Sequence, residues 1–183
     1  FDLVLVLVLL VPLGAVMLII AVVLLALQGR PVFFASVRMR SPARSFRLWK
    51  FRTMLPGPET VTAGHSASRV TRCGGILRRV RLDELPQLWN ILRGDMSFVG
   101  PRPERAYFVQ QLERDIAYYG VRHSIKPGIT GLAQVRYQYG ASVEDAIEKL
   151  QYDLYYVKNN SLFLDLLILI DTVQVVLFGK GSR

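Results

Sequence analysis

Residues 3–27 read LVLVLVLLVPLGAVMLIIAVVLLAL, twenty-five positions without a charge. How this run is read decides the fold. A helix of that length reaches roughly 37 Å, enough to cross the hydrocarbon core of a bilayer. It is too long for the apolar part of a signal peptide, and no small-residue cleavage site follows it. Asp2 precedes the run, and Arg30, Arg38 and Arg40 follow it, so the positive-inside tendency puts the rest of the chain on the cytoplasmic side. Pro12 complicates the picture. Proline removes an amide donor and crowds the preceding turn, which predicts a kink or break near Val8 to Val11. Two readings stay open: a kinked helix that spans, and a helix-break-helix that enters the membrane and returns to the same face.

Working outward, the bulk properties narrow the class. The 183 residues carry 23 Lys and Arg against 14 Asp and Glu, a net charge of +9, and 51% are hydrophobic. Mean hydropathy is +0.29 and the isoelectric point about 10.1. Basic proteins that bind nucleic acid are usually far less apolar, so a protein lying against an anionic membrane or handling phosphorylated substrates fits better. A single cysteine, Cys73, excludes an internal disulfide. With only two scattered histidines, His65 and His123, a zinc site is not expected. The chain begins with Phe1 and is expected to be part of a longer protein. Its length allows one catalytic domain, so we divide it into a membrane segment, 1–28, and a membrane-surface domain, 29–183.

Within that domain the pattern predicts a mainly helical α+β fold. Apolar and basic residues around Ser-Pro read as a β-hairpin, 32–38 and 45–51, with a turn at 41–44. Residues 56–68, PGPETVTAGHSAS, read as a loop. GGILRRVR at 74–81 predicts a short helix with Arg78 and Arg79. Helical spacing recurs at 104–119 and 143–158, and KPGITG at 126–131 is turn chemistry. The C-terminal stretch 161–181 is apolar but interrupted by Asp165, Asp171 and Gln174. A second span would bury those acids at high cost, so the expectation is an amphipathic helix in the interface or packed on the first segment.

Two adjacent acids, Asp83 and Glu84, sit between a basic stretch and Pro86. Leu85, Leu88, Trp89 and Leu92 predict one helix face, with Gly94 as its stop and Asp83 as its N-cap. A capping Asp needs no chemical role. Consecutive helical residues project about 100° apart, so the pair cannot oppose each other across one glycosidic bond. Beside phosphate, however, an Asp at a helix start can attack phosphorus or hold Mg2+ against a pyrophosphate. Lys50, Arg52, Arg78, Arg79, Arg81, Arg93 and Arg102 bracket the acids, and arginine forks suit phosphate groups.

Several strings together carry a resemblance: GRPVFF at 29–34, KFRTM at 50–54, RLDELPQLWN at 81–90, GDMSFVGPRPE at 94–104 and KPGITGLAQV at 126–135. With the proline-broken apolar segment, they make the chain resemble the bacterial sugar transferases, the monotopic phosphoglycosyl transferases that act on polyprenyl phosphate. Its tail looks like the exopolysaccharide-associated branch, where the catalytic part commonly follows an N-terminal membrane and regulatory region.

The resemblance implies transfer of a sugar-1-phosphate from a UDP-sugar to undecaprenyl phosphate at the cytoplasmic face of the inner membrane, with release of UMP. It implies Asp83 as the covalent nucleophile and Glu84 as the second dyad member, a base or an orienter of the lipid phosphate. Mg2+ is implied as cofactor with Asp83 as its ligand. Arg78, Arg102 and Arg136 are implied as phosphate- or substrate-binding residues, beside Lys50 and Arg52, which the cluster of cations around the acids offers for the same role. It also favours the re-entrant form of the membrane segment. Three departures stand out. Near the hairpin the chain has ASVRMRSPAR where many relatives have Gln-x-Arg-x-Gly, Val11 stands where many have Ser before the proline, and VRYQYG follows GLAQ where many have an Asn-Gly stretch.

Two other classes compete. A membrane-anchored assembly module would need Asp83 only as a cap, and Asp83→Asn would then preserve its activity. Nucleic-acid binding has only the isoelectric point behind it and no recognised reading motif, so no nucleic-acid partner is expected. The apolar tail offers a surface for a homodimer.

Overall fold

The computed structural model describes residues 1–55, 69–137 and 142–178. The expected loop at 56–68 lies outside the described residues. In chain order the elements are α1 (Asp2–Gln28), β1 (Phe33–Ser41), β2 (Arg44–Phe51), α2 (Arg72–Arg79), a 3-10 turn (Leu82–Gln87) leading into α3 (Leu88–Leu92), β3 (Ser97–Val99), α4 (Ala106–Asp115), a second 3-10 turn (Tyr119–Ser124), β4 (Gly128–Thr130), α5 (Leu132–Arg136), α6 (Val143–Asn159) and α7 (Leu162–Phe178). The chain is α+β and mainly helical, with the hairpin where the alternation put it. The strands run longer than expected, so only Pro42 and Ala43 form the turn.

One expectation is corrected at the start of the chain. Helix α1 is continuous through Pro12; the helical run does not break there. Proline leaves the carbonyl one turn back without its donor, but the turns on both sides are held by packing. Val6, Ile20 and Leu24 are buried, with Leu5, Leu9, Leu13, Val16, Met17 and Ala21 half-buried beside them. Those positions recur every three to four residues and form one stripe along the whole helix. The opposite face, including Val4, Val8, Val11, Leu18 and Ile19, is apolar and exposed. Both ends of α1 are tied to the same domain. The Phe98 amide donates to Asp2 Oδ1 at 3.5 Å, and Gln28 Nε2 donates to Thr71 Oγ1 at 3.1 Å.

The stripe on α1 meets two parts of the core. Its first half joins Phe46, Leu48, Leu88, Ile91, Met96, Phe98, Val99, Tyr156 and Ile168. Its second half joins Phe51 and Leu77. Helix α7 packs into the first cluster through Ile168, and Asp165, Asp171 and Thr172 turn towards the domain while Gln174 is exposed. Asp165 accepts from the Tyr156 hydroxyl at 2.5 Å, Asp171 pairs with Arg136 at 2.8 Å, and Thr172 bonds Thr130 at 2.7 Å. Leu162, Phe163, Leu166, Leu167, Ile170 and Val173 face outward. The acids that argued against a second span therefore have partners within the domain.

Two short strands were not legible in advance. β3 and β4 pair in parallel, Ser97 with Gly128 and Val99 with Thr130. This brings the Gly-Pro-Arg-Pro segment against KPGITG. The approach is too close for side chains: a Cβ on Gly100 would lie 2.3 Å from the Lys126 carbonyl oxygen, and one on Gly128 would lie 2.2 Å from the Gly100 nitrogen. The two glycines are what let these turns interlock.

Candidate active site

The acids sit on a tight turn, not on the start of an α-helix. Arg81 adopts the left-handed conformation (φ 59°, ψ 14°) and swings the chain out of α2 into the 3-10 turn. Such a backbone is costly for a residue with a Cβ and clusters at functional turns. The Glu84 amide then bonds the Arg81 carbonyl at 3.2 Å. Asp83 is therefore not the N-cap it was expected to be. Arg81 occupies that position, the first bond is made by its main chain, and the Asp83 side chain is left for other work. The 3-10 turn also advances about 120° per residue instead of 100°, which rotates the faces that follow. Leu88 and Ile91 point into the core, while Trp89, expected among them, is 54% exposed.

Asp83 and Glu84 are both buried, at 7% and 8% exposure. Lys50, from β2, places Nζ 2.5 Å from Glu84 Oε1, and Arg102 Nη2 comes within 3.6 Å of the same oxygen. Burial alone would raise the Glu84 carboxyl, but Lys50 and Arg102 hold it down to about 2. Lys50 is pulled down by its burial, with Glu84 opposing and Arg102 adding to the fall. Asp83 behaves oppositely. Burial pushes its carboxyl up and Glu84 adds to that, against Lys50, Arg78 and Arg81. Among the described residues, no hydrogen bond or ion pair engages the Asp83 carboxylate.

The frame that holds these groups is polar and specific. Asn90, 1% exposed, accepts from the Trp49 amide at 3.1 Å and donates to the Arg47 carbonyl at 2.7 Å. It fastens α3 to the strand that carries Lys50. A Cβ on Gly74 would meet the Thr53 carbonyl oxygen at 2.2 Å, so α2 starts directly on the end of β2. From α2, Arg78 Nε donates to Thr53 Oγ1 at 2.8 Å.

Of the five cations expected to bind substrate, the structure brings Lys50 and Arg102 onto Glu84 and sets Arg78 close enough to bias Asp83. Arg52 and Arg136 are engaged elsewhere. Arg52 donates to the carbonyls of Gln28 and Gly29, at 2.5 and 2.9 Å, and so closes the C-terminus of α1. Arg136 pairs with Asp171. The sequence reading missed Asn90, whose only signal was a polar residue inside an apolar helix, and named Arg81 only among the bracketing cations, not as the residue that turns the chain into the site.

Two acids with two cations on one of them, and two more cations biasing the other, make a locally positive setting of the kind that suits phosphate groups. For Mg2+, the described residues offer no cluster of three or more His, Cys, Asp or Glu side chains. Mg2+ is commonly held by one or two carboxylates together with substrate phosphates. Asp83 fits as that single carboxylate, whereas Glu84 is taken by Lys50 and Arg102.

Comparison with known proteins agrees with this chemistry. The family model described as bacterial sugar transferase matches residues 1–179. The chain is 43% identical over 177 residues to the UDP-N-acetylgalactosamine-undecaprenyl-phosphate N-acetylgalactosaminephosphotransferase of Aeromonas hydrophila, covering 94% of this chain and 42% of that protein. It is 41% identical over 187 aligned positions to the UDP-glucose:undecaprenyl-phosphate glucose-1-phosphate transferase of Xanthomonas campestris pv. campestris, covering 99% and 39%. With the uncharacterized sugar transferase EpsL of Bacillus subtilis it shares 42% over 167 residues, covering 90% and 78%. The chain thus spans about four tenths of the length of the first two relatives.

Proposed function

We propose that this chain, which belongs to the bacterial sugar transferase family, moves a sugar-1-phosphate from a UDP-sugar to undecaprenyl phosphate through a covalent intermediate on Asp83. A carboxylate oxygen of Asp83 attacks the phosphorus that bears the sugar. The bond from that phosphorus to the bridging oxygen breaks, and UMP leaves with the bridging oxygen and its electron pair. An oxygen of the lipid phosphate then attacks the same phosphorus, the acyl-phosphate bond breaks, and the Asp83 carboxylate is restored. The observation that carries this reading is the state of Asp83: buried, unpaired among the described residues, and beside cations.

Glu84 has a different part. A carboxyl held at about 2 is a poor proton acceptor at neutral pH, so its geometry favours orienting over deprotonating. It fixes Lys50 and Arg102 where the phosphates arrive. Asp83 is the residue that would hold Mg2+, which when bound offsets the charge of the donor pyrophosphate.

The membrane segment fits a one-sided placement, seated in the cytoplasmic face of the bilayer as a single unbroken helix. A helix seated along one domain, with both ends tied to it, does not separate that domain from a far side of the bilayer. The exposed apolar faces of α1 and α7 are then the surfaces in contact with lipid, and a soluble sugar nucleotide meets a lipid phosphate at the boundary. This is the first membrane step in building a glycoconjugate such as an exopolysaccharide.

Purified protein mixed with a UDP-sugar and no lipid acceptor should release UMP, up to about one equivalent, and carry the phosphosugar on Asp83. Release that strictly required undecaprenyl phosphate would replace the covalent route with a single displacement. Running a panel of UDP-sugars in the same assay identifies the donor.

A further inference from the structure

The segment Gly100-Pro101-Arg102-Pro103-Glu104 carries Arg102 to Glu84. Two of its five residues are prolines without an amide donor, so the turn must be held largely by its carbonyls. The Gly128 amide bonds the Pro101 carbonyl at 3.0 Å. Arg38 reaches the Pro103 carbonyl at 3.4 Å. The Arg102 carbonyl itself accepts from Arg122 Nη2 at 3.0 Å.

Arg122 is an unusual residue to give that task. It lies on the second 3-10 turn, is 6% exposed, and comes from a stretch in which the sequence shows no charge pattern. Its Nε donates to Asp153 Oδ2 at 2.9 Å and its Nη1 to the Tyr119 hydroxyl at 2.8 Å. Nη2 lies 2.8 Å from the same Asp153 oxygen. A guanidinium held by three contacts from α6 and its own turn is fixed in place, and a further Nη2 donor is aimed at the carbonyl of Arg102. A lysine ammonium could keep the charge but not this fork.

We propose that Arg122, locked onto Asp153 and Tyr119, is a positioning residue: it sets the Arg102 turn through the Arg102 carbonyl and so keeps the Arg102 guanidinium on Glu84. The kinetic form of its test rests on the transfer reaction proposed above, whereas the spectroscopic form does not.

The experiment is a double-mutant cycle on the full chain, with UMP release from a UDP-sugar as readout and circular dichroism to verify folding. Arg122→Lys should lower kcat/KM by on the order of tenfold, since small misplacements of a binding group are costly. In an Arg102→Ala background the same change should cost less than about twofold, because its only route of action is gone. An equal loss in both backgrounds, or no loss in either, overturns the inference. Should Arg122→Lys fail to fold, Tyr119→Phe takes its place in the cycle, with a smaller loss that again vanishes beside Arg102→Ala; additivity or no effect overturns the idea. If wild-type protein releases no UMP, the proposed reaction fails, and the Arg102 Nε–Hε resonance in the NMR spectrum decides. Displacement of that resonance by Arg122→Lys, with the other arginine signals in place, supports the positioning role, and an unmoved resonance ends it.

Discussion

Two clusters of charge lie inside this domain, and they are built on opposite plans. Around Arg122, one guanidinium meets one carboxylate, Asp153, and a hydroxyl, Tyr119, with both charges almost wholly enclosed. Charge balances and every contact is internal. Around Glu84, two cations crowd one carboxylate oxygen, two further arginines bias the neighbouring acid, and Asp83 makes no bond among the described residues. The first plan holds a structure together. The second leaves cations in excess and a carboxylate that no hydrogen bond or ion pair engages among the described residues. Burial alone does not distinguish the two clusters; the balance of partners does.

The comparison can be broken at either cluster. The largest effect is expected at Asp83. Asp83→Asn should cut UMP release by on the order of 10^4-fold or more, the scale of losing a nucleophile. The same change should leave the melting temperature in detergent unchanged or higher, since it removes a buried carboxylate whose ionisation the fold opposes. A melting temperature several degrees lower would mean that Asp83 serves structure.

At the other cluster the balance of effects reverses. Arg122→Ala leaves Asp153 charged and enclosed, and a stability loss of about 3–5 kcal/mol is expected. Urea unfolding measures it, and a loss below about 1 kcal/mol would place the pair outside the architecture described here.

The pH dependence is the smallest and finest test. Glu84 is held at about 2, below its ordinary 4.5, so the folded state favours its ionised form. The stability it contributes, at most about 3 kcal/mol, is complete above pH 4.5 and is lost as pH falls from there towards 2. Asp83 has the opposite sign: its carboxyl is raised in the folded state, so stability declines as pH climbs through the ordinary carboxyl value and beyond. Glu84→Gln should therefore flatten the acid limb of a stability–pH curve, and Asp83→Asn should flatten the limb above it. Identical curves for both variants would show that the two acids share one environment.

Much of the fold was legible locally. A period of 3.6 at 143–158, alternation about Ser-Pro, and the inward acids of the tail each follow from one segment meeting water or lipid, and Asp165 and Asp171 ended inside α7 as their cost required. The continuity of α1 was not legible, because the packing on either side of Pro12 comes from distant residues, from Phe46 to Ile168. Nor was the phase of α3, where the left-handed turn at Arg81 and a 3-10 step moved Trp89 outward.

By itself, then, the sequence determined the long apolar segment, most of the elements, the paired acids and the wealth of arginines, since all of these are properties of neighbours along the chain. Only the tertiary structure decided which cations meet which acids: Lys50 and Arg102 on Glu84, Arg52 on the end of α1, Arg136 on Asp171, and Arg122 behind the turn that carries Arg102. Charge acts over a few ångströms through space, and the order of residues along a chain does not record those distances.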